Sequence, residues 1–152
     1  LGSAMTLVQS TARSVASTAI GVAVLALTAL IWLGVAAPTD THPLFYFGLI
    51  FLGGGAMGLL LAGVGAMAAR SRASTSADFR SFQGIRRLVL AMWLCTVVAD
   101  ALGVLVLLAI AGGRGSTPLS TSTLAVAFAT AAITVVGAGF TSAVMRRVLP
   151  TG

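Results

Sequence analysis

The chain has 152 residues, 58% of them hydrophobic and only 8% charged, whereas a soluble domain carries about 25% charged residues. That is too little charge to cover a globular surface in water, so a soluble enzyme or binding domain is excluded and lipid is the expected solvent. The formal charge of +6 comes from Arg and Asp alone, with no Lys or Glu, and its placement along the chain, described below, points away from nucleic acid as a partner.

The chain opens with "LGSAM". Met5 is read as a natural start, which would make residues 1–4 foreign. No cleavable signal peptide is expected, because the first apolar run is too long and no small-residue cleavage site follows it. About 20 apolar helical residues are needed to cross a hydrocarbon core roughly 30 Å thick, and four runs qualify: 14–37, 44–69, 88–111 and 121–145. None shows the period-two alternation of a membrane barrel strand. A helix satisfies its own backbone hydrogen bonds in lipid, so helices are predicted. "PTDTHP" (38–43) is read as a tight turn, "RSRASTSADFRSFQGIRR" (70–87) as a polar, basic loop, and "GGRGSTPLSTS" (112–122) as a surface loop. The predicted fold is a single domain over 1–152, an all-α integral membrane protein with four transmembrane helices in an up-down bundle.

Arginine placement predicts the orientation. Arg13 precedes the first span, Arg70, Arg72, Arg80, Arg86 and Arg87 lie between the second and third, and Arg146 and Arg147 follow the fourth. Only Arg114 falls on the opposite side. Basic residues favour the cytoplasmic side of a membrane, so both termini and the 70–87 segment are predicted to be cytoplasmic. Trp32, Phe45, Tyr46 and Phe47 are expected in an aromatic belt at the outer surface. Phe79 and Phe82, among arginines, leave two options for the inner loop: a short amphipathic segment on the membrane surface or a solvated linker.

Burying leucine gives helices little reason to associate in lipid, and close packing at small residues does more. In the second span Gly54, Gly58, Ala62 and Ala66 recur every four residues and form a predicted packing ridge. Shorter pairs occur at Ala19 and Ala23, at Ala127 and Ala131, and at Ala138 and Ser142. These ridges serve packing within the chain or docking of another subunit, and "GGG" at 53–55 also raises a helix that unwinds around a ligand.

Asp100 lies in the middle of the third span. A carboxylate at a helix centre costs about 2.5–3.5 kcal/mol on insertion scales and commonly marks a functional site. Arg86 and Arg87 are about 20 Å away along the helix, too far to pair with it. Three solutions follow: a protonated carboxyl bonded to a hydroxyl such as Thr28, Thr130 or Thr134, pairing with a cation from another subunit, or a polar cavity holding water, a proton or a cationic substrate. Helical spacing places Trp93, Thr96, Gly103 and Leu107 on the same face as Asp100, with Thr96 one turn away and able to donate to it. Cys95 lies on another face and reads as an inert apolar side chain.

The remaining residues argue against catalysis. No GxSxG, HExxH, phosphate-binding loop or paired-Cys motif occurs. One Cys and one His preclude an internal disulfide and a familiar metal cluster, and His42 in the outer turn reads as a loop residue. No metal or other cofactor is expected. Arg70, Arg72, Arg86, Arg87, Arg146 and Arg147 gather at one membrane face, where they provide a topology signal or contacts to anionic lipid heads. The resulting expectation is a small, non-catalytic, multi-pass protein of the bacterial inner membrane. Its expected partners are membrane lipids and either a larger membrane complex, which it would serve as an accessory or scaffolding subunit, or its own copies. The alternative is a small transporter or channel in which Asp100, with Thr96, binds a proton or cation.

Overall fold

A computed structural model shows the chain as four helices: α1 (Gly2–Ala36), α2 (Pro43–Thr75), α3 (Phe79–Gly112) and α4 (Thr121–Val148). The structure describes residues 2–37, 43–75, 79–112 and 121–149, without the side chains of 2–5, 74–75 and 79–81. Each helix contains a segment long and apolar enough to cross a membrane. Their ends follow local chemistry. α1 stops two residues before Pro38, which lacks an N–H and restricts the residue before it. α2 starts on Pro43, where a missing N–H costs nothing and the fixed φ suits a first turn. α3 ends on Gly112, ahead of a second glycine. α4 closes with the Leu149 N–H donating to the Met145 carbonyl at 2.9 Å, just before Pro150.

The helices run well beyond the predicted spans. α1, α2 and α3 have 35, 33 and 34 residues, or about 50 Å each at 1.5 Å per residue. The segment 70–87, expected as a loop, is helical over 70–75 and 79–87. Hydropathy marks where side chains suit hydrocarbon, but a helix continues wherever its backbone bonds and packing continue, and Arg, Ala, Ser and Gln are all compatible with one. Phe82 therefore does not rest on a membrane surface: it is fully buried in the bundle.

Consecutive helices alternate in direction, and three layers of buried side chains stack along them. At the arginine-bearing end, Val8, Ala12 and Val15 of α1 meet Ala66 and Ala69 of α2, Phe82 and Val89 of α3, and Met145 and Leu149 of the α4 end. At the opposite end, Leu30 and Leu33 pack with Phe45, Leu49 and Leu52, with Leu107 and Ile110, and with Ala127 and Ala131. Between them lies a thin layer of Ala19, Ala23, Leu59 and Ala138. Phe45 belongs to the inner core, whereas Trp32, Tyr46 and Phe47 of the expected aromatic belt do face outward. α2 and α4 each pack closely against all three other helices, whereas the backbones of α1 and α3 make no close approach to each other among the described residues.

The exterior differs from that of a water-soluble bundle, while the mainly apolar interior also takes in several hydroxyls. Large apolar side chains such as Leu25, Ile31, Val35, Val98, Leu105 and Val136 point outward. Small residues and hydroxyls point inward, including Thr96, Thr130, Thr134, Thr141 and Ser142. Most of these threonines turn back on their own helix: Thr96 donates to the Met92 carbonyl at 2.7 Å, and Thr130 to Val126 and Thr141 to Gly137 at 2.8 Å. A buried hydroxyl satisfied in this way does not need a partner across the bundle.

Candidate functional site

Asp100 is buried, with 2% of its surface exposed. It projects from α3 toward Gly55 of α2 and Thr134 of α4, about one turn from the thin central layer on the side of Leu52 and Ala131. Thr134 of α4 donates from Oγ1 to Asp100 Oδ2 at 2.5 Å. The same hydroxyl oxygen lies 3.0 Å from the carbonyl oxygens of Thr130 and Ala131. The second carboxyl oxygen, Oδ1, is buried with no hydrogen-bond partner. It faces Gly55 of α2, and a Cβ at position 55 would overlap the carboxyl group. The absence of a side chain at Gly55 is therefore what makes room for the acid.

Of the three hydroxyls weighed for Asp100, the structure brings only Thr134 to it. Thr28 is exposed and donates to the Val24 carbonyl at 2.8 Å, and Thr130 bonds within α4. Thr96 is fully buried one turn before Asp100 on α3, but it spends its hydroxyl on the Met92 carbonyl instead of donating to the carboxyl. Its neighbour on α2 is Gly58, where a Cβ would overlap Thr96 Oγ1. Two polar side chains of α3, Thr96 and Asp100, thus each sit over a glycine of α2, at Gly58 and Gly55.

The expected ridge of Gly54, Gly58, Ala62 and Ala66 is only partly inward. Gly58, Ala62 and Ala66 are buried, but Gly54 is exposed at the edge of the α2–α3 contact, and a Cβ there would meet Ala99 at an ordinary 3.6 Å. An α-helix advances 100° per residue, so a four-residue spacing drifts by about 40° per step and about 120° over three steps. The close-approach face at this end of α2 runs instead through Gly48 and Gly55, and it meets Gly103 on α3, where a Cβ would come within 3.0 Å of the Gly48 carbonyl. "GGG" at 53–55 stays helical, so the helix is not unwound there.

The arginines divide into distinct settings. Arg86 is half-buried and donates from Nη2 to the Leu149 carbonyl at 2.8 Å, where the end of α4 has carbonyls without intrahelical donors. Arg72, Arg87, Arg146 and Arg147 are exposed. Arg70 shares a cleft between α1 and α2 with Arg13, a residue that linear reading treated only as a topology marker. Only the register of α1 against α2 brings them together, and composition does not reveal that register. Asp40, His42, Asp78 and Arg114 lie outside the described residues, as do the side chains of Phe79 and Arg80. Among the described residues no three His, Cys, Asp or Glu side chains converge to hold a metal, and Cys95 is exposed.

No protein-family model matches this chain, and no curated protein or solved structure shows significant similarity to it.

Proposed function

We propose that the chain is a non-catalytic, multi-pass protein of the bacterial inner membrane that serves as an accessory or scaffolding subunit, in a larger membrane complex or with its own copies. In this reading the four helices cross the bilayer with the arginine-bearing end in the cytoplasm, and Asp100 is an internal clamp. The observation that carries it is the enclosure of Asp100: Thr134 bonds it, Gly55 makes room for it, and the acid thereby joins three helices of one chain. The outward faces, rich in Leu, Ile, Val and Phe, are then free for lipid and for a neighbouring subunit. Purification in mild detergent tests the proposal. A co-purifying membrane protein or a defined homo-oligomer supports it, and a strictly monomeric, partner-free species refutes it. A fluorescent protein fused after residue 152, of a kind that folds only in the cytoplasm, should fluoresce.

One observation favours a second reading, a small transporter or channel. Asp100 Oδ1 is buried and unpartnered, as an acid that accepts a proton or cation would be in its resting state. Asp100→Asn separates the two readings. In reconstituted vesicles, lost pH-dependent flux with assembly intact identifies transport, whereas lost assembly without any wild-type flux identifies a structural clamp.

A further inference from the structure

At the arginine-bearing end, α1 and α2 separate to leave a cleft of about 570 Å³ that holds both Arg13 and Arg70. Its lining is mainly apolar, with polar groups supplied by Gln9 and Ser10 of α1 and Ser71 of α2. A second hollow of about 270 Å³ shares Arg13, Met67 and Arg70 and continues toward the middle of α1, along Ala16, Ser17 and Ile20. Near Ile20 the two helices come close at Gly63, where a Cβ would come within 2.8 Å of Ile20 Cγ1. Through the shared Arg13, Met67 and Arg70 the two hollows adjoin in one groove, with Gln9, Ser10 and Ser71 confined to the first and a more apolar lining in the second. The only carboxyl among the described residues is Asp100, buried deep in the bundle, so no described acid neutralises the two guanidinium groups.

We propose that this groove binds an anionic phospholipid, with its phosphate on Arg13 and Arg70 and an acyl chain along Ala16, Ile20 and Met67. The chemistry fits each part of such a molecule. Guanidinium groups make paired hydrogen bonds to phosphate oxygens, Gln9 and Ser10 offer polar atoms to a hydroxylated head group, and the long arginine side chains lie along apolar surface while keeping their charge at the interface. A free phosphate ion would use the first hollow alone and leave the second, more apolar one without an occupant. The proposal rests on the membrane reading above and adds to it a specific lipid position.

Native mass spectrometry of the detergent-solubilised protein, titrated with phosphatidylglycerol, phosphatidylcholine or inorganic phosphate, tests it. At roughly fivefold per arginine, the wild type should prefer phosphatidylglycerol over phosphatidylcholine by roughly 30-fold. Arg13→Gln with Arg70→Gln should abolish that preference, and Arg146→Gln with Arg147→Gln should retain it. Ser17→Trp, at an exposed position, should fill the second hollow and weaken phosphatidylglycerol binding without changing helicity. Inorganic phosphate should not displace the lipid. Equal retention of the two lipids, equal loss in both double variants, unchanged binding by Ser17→Trp, or full displacement by inorganic phosphate would each overturn the proposal. A chain that stays folded and dispersed without detergent would instead overturn the membrane reading; dependence on detergent with no lipid preference would overturn the groove alone.

Discussion

At the scale of single residues, the bundle depends on what faces Asp100. A hydroxyl has one hydrogen, and Thr134 Oγ1 lies within bonding distance of three acceptors, the Asp100 carboxyl and two carbonyls of its own helix. The two carbonyls already have helical partners, so the carboxyl depends most on that hydrogen. Thr134→Val keeps the shape and removes the bond, and it should destabilise the bundle by about 1–3 kcal/mol because the buried carboxyl is left unsatisfied. Thr141→Val removes only a bond within α4 and should cost far less, as measured by unfolding in mixed micelles. Gly55→Ala should cost on the order of 1–3 kcal/mol through overpacking, since Asp100 is short and held by Thr134. Gly54→Ala should stay within about 0.5 kcal/mol. Combining Gly55→Ala with Asp100→Ala should remove most of the Gly55→Ala cost, and fully additive losses would refute the contact. The acid itself was plain from sequence, because one carboxyl in a long apolar run stands out against its surroundings. Its partners were not. Thr28, Thr130 and Thr134 are chemically alike, and choosing among them requires the rotation of α4 about its axis. Gly55 was passed over for Gly54 because a four-residue count departs from the true helical period.

At the scale of elements, the number and order of the helices could be read from hydropathy, because each apolar run matches the length a bilayer demands. Their ends could not. Past residue 69 the side chains become polar while the backbone remains helical, and the extra turns of α1, α2 and α3 build a packed layer around Phe82 and Met145. If the central stretches lie in hydrocarbon, this layer sits near the aqueous boundary, where burying apolar surface stabilises as it does in a soluble protein. Phe82→Ala should then cost about 3–5 kcal/mol, whereas Phe47→Ala, at a side chain 54% exposed, should be nearly silent. Comparing the thermal unfolding of the two variants in one detergent would check this, and equal effects would refute the assignment of a core to this end. Arg86→Gln should loosen the α4 terminus by losing the bond to the Leu149 carbonyl, visible as faster amide exchange over residues 145–149 with the other helices unchanged.

At the scale of the whole molecule, the architecture is a rhombus in cross-section, with α2 and α4 on the short diagonal and α1 and α3 apart. The few buried polar side chains lie on α3 and α4, and large apolar side chains cover the exterior. If such a body sits in a bilayer, its outward leucines and valines carry little information about which neighbour they meet. Function is therefore least legible at this scale: lipid and a partner helix ask for the same residue types on an outer face. In the membrane reading proposed above the arginine placement is the exception, since charge would remain at the interface whatever the packing.

The position of α4 also bears on how the chain is made. If the helices cross a bilayer as proposed, the first three enter it during synthesis before the fourth is complete, and Thr134 is not yet there to meet Asp100. The third helix must then reside for a time with an acid that no hydroxyl of its final neighbour relieves, a burden of about 2.5–3.5 kcal/mol. Arrival of the last helix relieves it. A nascent protein halted before Thr121 is thereby marked as unfinished, and surveillance proteases that sense polar groups in lipid would have a means to tell it from the mature form.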